Sequence, residues 1–212
     1  KIICIIPIYN EEKRLDLLLN EVKNFQKKDP FKTEFLLINN GSNDNTDKII
    51  NSYDLKSIRI KKNRGIGYAL LLGLKIAKSN NYDILIQLSG NFKMSPFDIP
   101  NMLKPIFEEN VDYVSGTRFI KKENYINNPI FRKLSIKALS IIFSLLFKKK
   151  ITDATCGFRA YKTSILSKNI DILDKEEFYT YGYEYYVLGK VLKSKNISFT
   201  EVPITMNYPK TG

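Results

Sequence analysis

The chain concentrates its reactive side chains in a few short clusters. Pro7-Ile8-Tyr9-Asn10-Glu11-Glu12, Asn39-Asn40-Gly41-Ser42-Asn43-Asp44, Asn63-Arg64-Gly65-Ile66-Gly67 and Ser89-Gly90-Asn91 fall in its first half. Arg64 opens a helix-like segment beside two glycines, where it can hold a phosphate or organise its loop, and glycine permits close backbone approach. Arg118 and Arg159 carry planar forks suited to a phosphate, or to a structural ion pair. Glu184, within Tyr183-Glu184-Tyr185-Tyr186, is open to two readings: a base toward a hydroxyl, or a solvated helix residue. Histidine is absent, which removes Ser-His triads, His general bases and His-ligated zinc. The net charge of +12 points to an anionic partner or to a lysine-rich background. No zinc finger, aromatic-basic RNA signature or basic zipper is present, so phosphate and membrane surfaces lead over nucleic acid.

The elements that position these clusters follow from periodicity. Lys1 to Ile8 is a continuous apolar run, as in a strand buried on both faces. Leu15, Leu18, Leu19, Val22 and Phe25 recur at helical spacing, stopped by Asp29-Pro30, with Asn10 as the expected N-cap and Glu12 in the first turn. Strands at Glu34 to Ile38, Ser57 to Lys61 and Tyr82 to Leu88 alternate with a helix at Thr46 to Tyr53 and one opened by Asn63-Arg64-Gly65-Ile66-Gly67 and running to about Lys78. That rhythm predicts a mostly parallel, doubly wound α/β sheet flanked by helices, which binds ligands at the carboxyl ends of its strands. The clusters after Ile8, Ile38 and Leu88 all fall at such ends. Further on, the pattern predicts a strand over Val111 to Val114, a turn-rich stretch from Thr152 to Tyr161, a helix over Glu177 to Leu192 and a strand over Phe199 to Ile204.

Ile130 to Ile151 predicts a helix with an apolar stripe of Leu134, Ala138, Ile141, Ile142, Leu145 and Leu146. Basic residues flank it: Arg132, Lys133 and Lys137 on one side, Lys148, Lys149 and Lys150 on the other. Such a helix is either core with solvated ends or an interfacial helix on anionic lipid. No run of about 18 apolar residues is present to span a bilayer. Cys4 and Cys156 suggest no disulfide framework, so a reducing cytoplasm is expected. Lys1 leads directly into a strand without a secretory signal, and the last residues, Tyr208 to Gly212, lead to the expectation of a further C-terminal segment.

Taken in order, these motifs resemble glycosyltransferase family 2. Gly116-Thr117-Arg118, Asp153-Ala154-Thr155-Cys156-Gly157-Phe158-Arg159-Ala160-Tyr161 and Glu201-Val202-Pro203-Ile204 are similar to its dolichyl- and polyprenyl-phosphate sugar transferases. The resemblance covers nearly the whole chain and implies a single Rossmann-like GT-A domain over residues 1–212. Residues 1–100 would form a nucleotide-sugar half, and residues 101–212 an acceptor half containing the possible interfacial helix 130–151. It implies inverting transfer from a UDP- or GDP-linked sugar to a polyprenyl or dolichyl phosphate, or a related cell-envelope glycan, on the cytoplasmic face of a membrane. It assigns donor contacts to Pro7, Tyr9, Asn10, Glu11, Asn39, Asn40, Arg64, Gly65, Ser89, Gly90 and Asn91. Catalysis would fall to Asn91, Lys93, Arg118 and Arg159.

One departure matters. Where the family carries Asp-x-Asp to help hold Mg²⁺ or Mn²⁺, this chain has Ser89-Gly90-Asn91, and Asn39 and Asn40 replace two further acids. Hard cations want charged oxygens, so a metal at Asn91 would be weak or absent. Either protein cations led by Lys93 take over the charge, or the chain binds a nucleotide sugar without turning it over. A dehydrogenase reading fits less well. Gly65-Ile66-Gly67 follows the third strand and lacks the third glycine and the acidic ribose partner about 20 residues on.

Overall fold

The computed structural model describes residues 1–120, 125–126, 130–167 and 169–207. In chain order the elements are β1 (Ile2–Ile8), α1 (Leu15–Gln26), β2 (Glu34–Asn39), α2 (Thr46–Asn51), β3 (Lys56–Arg59), α3 (Ile66–Ser79), β4 (Ile84–Gln87) and α4 (Ile99–Glu108). There follow β5 (Tyr113–Thr117), β6 (Tyr125–Ile126), α5 (Ile130–Phe147), β7 (Arg159–Lys162), α6 (Ser164–Ser167), α7 (Ile170–Leu173), α8 (Gly182–Lys193), β8 (Phe199–Pro203) and β9 (Met206–Asn207).

Seven strands form one sheet in the order β3-β2-β1-β4-β7-β5-β8, while β6 pairs with β9. All pairings in the large sheet are parallel except those of β7, which runs antiparallel to both β4 and β5. The turn-rich stretch of the sequence therefore ends in a strand, and that strand alone makes the sheet mixed. From β1 the chain winds outward through β2 to β3 and returns on the other side at β4. The β1/β4 boundary is thus the topological switch point, where such sheets leave a crevice at their strand ends.

The apolar run of β1 divides as a strand buried on both faces must. Cys4, Ile6 and Ile8 pack with α1 and α4, whereas Ile3 and Ile5 pack with α3 and α8. The expected cap of α1 is not formed. Asn10 adopts a left-handed backbone (φ 52) and α1 starts five residues later, after Arg14. Asn10 instead receives a hydrogen bond from the Asn43 N–H at 3.0 Å and donates its own N–H to Ser42 Oγ at 3.0 Å. A residue that tolerates left-handed geometry and bonds locally serves as a clasp between two loops as readily as a cap.

Other boundaries shift for local reasons. The long helix ends at Phe147 because Lys148 turns left-handed (φ 51). The late helix begins at Gly182, preceded by a 3₁₀ turn over Glu176–Phe178. Helix α4 had no counterpart in the sequence reading, since Pro100 and Pro105 interrupt its pattern. Pro100 sits in its first turn, where the missing N–H costs nothing.

Candidate active site

Two adjoining cavities open at the carboxyl ends of the strands, astride the switch point. The wider, about 340 Å³, is lined by Pro7, Tyr9, Glu11, Asn40, Asn63, Gly65, Ser89, Gly90, Asn91 and Tyr181. The narrower, about 180 Å³, shares Pro7, Ser89, Asn91 and Tyr181 and adds Gln87, Lys93, Arg118, Arg132 and Glu184. A shallower concavity of about 560 Å³ at the opposite end of the sheet, around Lys78, Tyr82 and Thr163, exceeds both. It holds none of the clustered motif residues, so size alone does not mark the site.

The wider cavity is assembled by loops bonded to one another. The Gly90 N–H donates to Pro7 O at 3.2 Å and the Asn40 N–H to Ile8 O at 2.8 Å, bringing three strand ends together. Tyr9 is 42% exposed, which leaves an aromatic face at the cavity mouth available for stacking. Burial raises the pKa of Glu11, while Arg14 and Lys93 oppose the rise.

Asn39 and Asn40 have different places. Asn40 lines the cavity. Its amide donates to Asn63 Oδ1 and Gly65 O, each at 3.0 Å, and its oxygen accepts from the Arg64 N–H at 3.2 Å. Asn39 is buried behind the loop, donating to Asp47 Oδ1 at 2.9 Å and accepting from the Ser42 N–H at 3.0 Å. An aspartate could make neither donation, and at position 39 it would face Asp47 as a like charge. The neutral pair is therefore built into the local bonding.

Arg64 does not line either cavity. Its guanidinium lies 4.0 Å over the Tyr68 ring and 4.9 Å over that of Tyr179, so it organises the loop. Gly65 has φ +90, and a Cβ there would sit 2.1 Å from Tyr179 O. The close approach that this glycine allows is thus to the chain ahead of α8.

The narrower cavity is cationic. Lys93 is half-buried and its pKa is lowered by burial first, then by Arg132 and Arg14. Arg118, 2% exposed, is bidentate on Asp153: Nε to Oδ2 and Nη2 to Oδ1, both 2.5 Å. Glu201 secures that segment, accepting from the Thr152 N–H at 2.7 Å and the Asp153 N–H at 3.0 Å. The fork of Arg118 is thus committed to an ion pair while the residue still forms part of the wall. Arg159 lies outside both cavities. It is buried, bonding Cys156 O at 3.0 Å through Nε and Glu184 O at 2.9 Å through Nη1. Arg132, at the start of α5, lines the cavity although the motif reading did not select it. The signal available was a cation at the end of a helix expected near an anionic surface.

The donor set at the family's metal position does not fit a resident divalent cation. Ser89 and Asn91 offer a hydroxyl and an amide, and Asn91 Oδ1 already accepts from the Lys93 N–H at 3.2 Å. Among the described residues no group of three His, Cys, Asp or Glu is placed to hold a metal. The nearby wall carries ammonium and guanidinium groups instead.

Residues 3–170 match Glycosyl transferase family 2. The chain belongs to that family. A UDP-N-acetylglucosamine–dolichyl-phosphate N-acetylglucosaminyltransferase of Methanococcus voltae is 30% identical, across 98% of this chain and 86% of the relative. An undecaprenyl-phosphate mannosyltransferase of Micrococcus luteus is 26% identical, across 97% of this chain and 83% of the relative. Glucosyl-3-phosphoglycerate synthase of Mycobacterium tuberculosis, solved with Mn²⁺, UDP and phosphoglyceric acid, superposes with a TM-score of 0.71 at 15% identity. That match covers 96% of this chain and 68% of the synthase, and it establishes the GT-A fold. The protein is a glycosyltransferase with a mixed seven-stranded sheet.

Proposed function

We propose that this glycosyltransferase moves a sugar from a UDP- or GDP-linked donor to a polyprenyl phosphate, with inversion and without a resident metal. The observation that carries the reading is the junction of the two cavities. A pocket with an aromatic mouth and a Glu11 carboxylate opens directly into one lined by Lys93, Arg118 and Arg132. The nucleoside occupies the first, against Tyr9, Glu11 and Asn40, and the diphosphate reaches Ser89, Asn91 and Lys93. Relatives that act on dolichyl and undecaprenyl phosphates support the acceptor class.

In the transfer an acceptor phosphate oxygen attacks the anomeric carbon as the bond from that carbon to the diphosphate breaks. The nucleoside diphosphate leaves with the bonding pair. The attacking oxygen is already anionic near neutral pH, so the step needs no strong base. What must be met is the charge growing on the leaving diphosphate, and fixed cations at a partly buried site do that without reorganisation.

The exposed apolar face of α5 supports delivery of the acceptor from a membrane surface. Phe131, Leu145 and Leu146 are 83%, 74% and 69% exposed, and Arg132 beside Phe131 reaches the cationic cavity. Among the described residues no helix is long and apolar enough to cross a bilayer. A peripheral enzyme of cell-envelope synthesis on the cytoplasmic leaflet fits these features.

The test is a panel of nucleotide sugars with undecaprenyl phosphate, assayed with Mn²⁺ and with a chelator. Product is expected under both conditions, and Lys93→Ala should lose far more activity than Asn91→Ala. Strict metal dependence would refute the role given to Lys93. The absent carboxylates at positions 89 and 91 favour a second reading, a protein that binds nucleotide sugars without turnover. Donor binding with no product from any pair would establish it.

A further inference from the structure

An open groove of about 570 Å³ lies where the last turns of α5 and α8 come together. It shares no lining residue with either active-site cavity. Its wall is aromatic, with Phe147 from α5 and Tyr185 and Tyr186 from α8. Phe143 braces that wall, its ring 5.6 Å from Phe147 and 6.1 Å from Tyr185. A Cβ on Gly189 would stand 3.5 Å from the Phe147 ring, so the glycine deepens the groove. Lys190 and Lys193 line the same groove, and Lys148, Lys149 and Lys150 follow Phe147 directly. Among the described residues none of these five lysines is held in an ion pair. Lysines suit helix C-termini for the dipole alone, but the dipole does not call for an exposed aromatic groove beside them.

We propose that this groove binds the headgroup end of one anionic phospholipid, with the phosphate at Lys190 and Lys193 and the upper chain against Phe147, Tyr185 and Tyr186. The charge of the groove calls for an anion, and its aromatic wall calls for an apolar part attached to that anion. Tyrosine and lysine are also the side chains that sit at headgroup level, with an apolar body and a polar tip. Basic pockets between helices are a recurrent way to hold lipid headgroups. The groove is continuous with exposed apolar surface, since Leu146, 69% exposed, is a neighbour of Phe143 on the helix surface. A bare polyanion would have no use for that surface. The site stands apart from the chemistry proposed for the two cavities. Taken with that chemistry, and resting on it, the site has a consequence for the acceptor. Arg132 lines the cationic cavity and lies about 22 Å along α5 from Phe147. A lipid held at the far end fixes α5 along the bilayer, so the mouth of the cationic cavity meets the surface from which a lipid phosphate comes.

The experiment compares the whole chain with the double variant Lys190→Glu with Lys193→Glu, with Gly189→Leu, and with a control reversal, Lys27→Glu with Lys28→Glu. The control pair follows α1, on the opposite face of the sheet from α8. Partition is read by co-sedimentation with phosphatidylcholine vesicles, with and without phosphatidylglycerol. The wild type should favour the vesicles that contain phosphatidylglycerol. Lys190→Glu with Lys193→Glu should weaken that binding about tenfold or more, since each lysine near an anionic surface contributes about fivefold. The control changes net charge equally and should weaken it by no more than about twofold. Calorimetric titration with monomeric dihexanoyl-phosphatidylglycerol should saturate at one lipid per chain. Gly189→Leu keeps the charge, fills the groove and should abolish that saturation. Glycerol phosphate, which lacks the chains, should not displace the lipid. Equal losses in the two charge reversals overturn the inference, because they show diffuse attraction without a site. Saturation that survives Gly189→Leu, or that glycerol phosphate reverses, overturns it as well, because no lipid chain then enters the groove. Saturable lipid binding by a chain that transfers no sugar would overturn the proposed function and leave this site standing.

Discussion

The guanidinium of Arg118 spends both arms of its fork on Asp153, and Thr155 Oγ1 takes a further bond at 2.5 Å. Removing one partner of a buried pair strands the other charge, at about 3–5 kcal/mol. Asp153→Ala should therefore lower unfolding free energy in urea by about that amount, while a loss below about 1 kcal/mol would show that the pair is solvated and dispensable. Glu184 makes the opposite case. Its folded pKa is raised, so the folded state holds its proton to higher pH than the unfolded chain does. The stability it contributes is complete below the unfolded carboxylate pKa and is lost as pH rises through the folded value. Glu184→Gln should consequently melt above the wild type at neutral pH, with the gap closing as pH falls into the ordinary carboxylate range. A constant gap across that range would exclude ionisation as the cause. At this scale the sequence revealed residue types better than their roles. Pro7, Tyr9, Glu11, Asn40, Ser89, Gly90, Asn91 and Lys93 line the two cavities, because strand ends must deliver the clusters there. Asn39, Arg64 and Arg159 stand in motifs of the same kind yet bond other parts of the protein. Spacing along a chain does not say on which side of a loop a polar group finds its partner.

Helix α5 shows the same limit for a whole element. Its periodicity is real, but two faces carry apolar residues, and periodicity alone cannot tell which faces inward. The stripe of Leu134, Ala138, Ile141, Ile142, Leu145 and Leu146 is the outward one. Ile136 and Ser140 face the protein, with Leu139, Phe143 and Phe147 partly covered against the α3–α8 side. Contiguous exposed apolar surface on a small domain marks a site of association. Arg132, Lys133 and Lys137 on the same helix make an anionic bilayer a matching counterpart. The double substitution Ile142→Glu with Leu145→Glu should abolish most co-sedimentation with phosphatidylserine vesicles. Its stability should change by no more than about 0.5 kcal/mol, as for exposed positions generally. Ile136→Ala should do the reverse, costing about 2–5 kcal/mol with lipid binding intact in the folded fraction. If the charged variant instead unfolds the protein, the outward face is core that pairs with something in the chain. Strand β7 was hidden for a related reason. Its four residues follow a loop rich in turn formers, and an antiparallel strand between parallel ones depends on partners that only the assembled sheet supplies.

At the level of the whole molecule, the switch point lets one sheet hold both cavities. The ends of β1, β2 and β4 line the wider cavity, while Lys93 after β4, Arg118 after β5, Arg132 on α5 and Glu184 on α8 converge on the narrower one. This architecture was legible in the alternation of strands and helices, because connection rules leave few ways to arrange them. Its charge logic was legible only in part, since +12 overall says nothing about where cations converge. The convergence on the narrower cavity makes a prediction about the chain as a single folding unit. A nucleoside diphosphate held by protein cations stabilises the folded state by mass action, about 2.7 kcal/mol at a hundredfold excess over its dissociation constant. For a domain of this size that corresponds to a rise of about 5–11 °C in one cooperative transition. On the proposed metal-free reading, the rise should survive a chelator. It should shrink in Lys93→Ala and at high salt, where exposed parts of the cation cluster are screened. Calorimetry with UDP or GDP, with and without chelator, separates the two ways of meeting the same charge. A shift that vanishes on chelation would mean that a divalent ion is recruited by the diphosphate itself. Lys93 would then be a neighbour of the metal rather than its replacement.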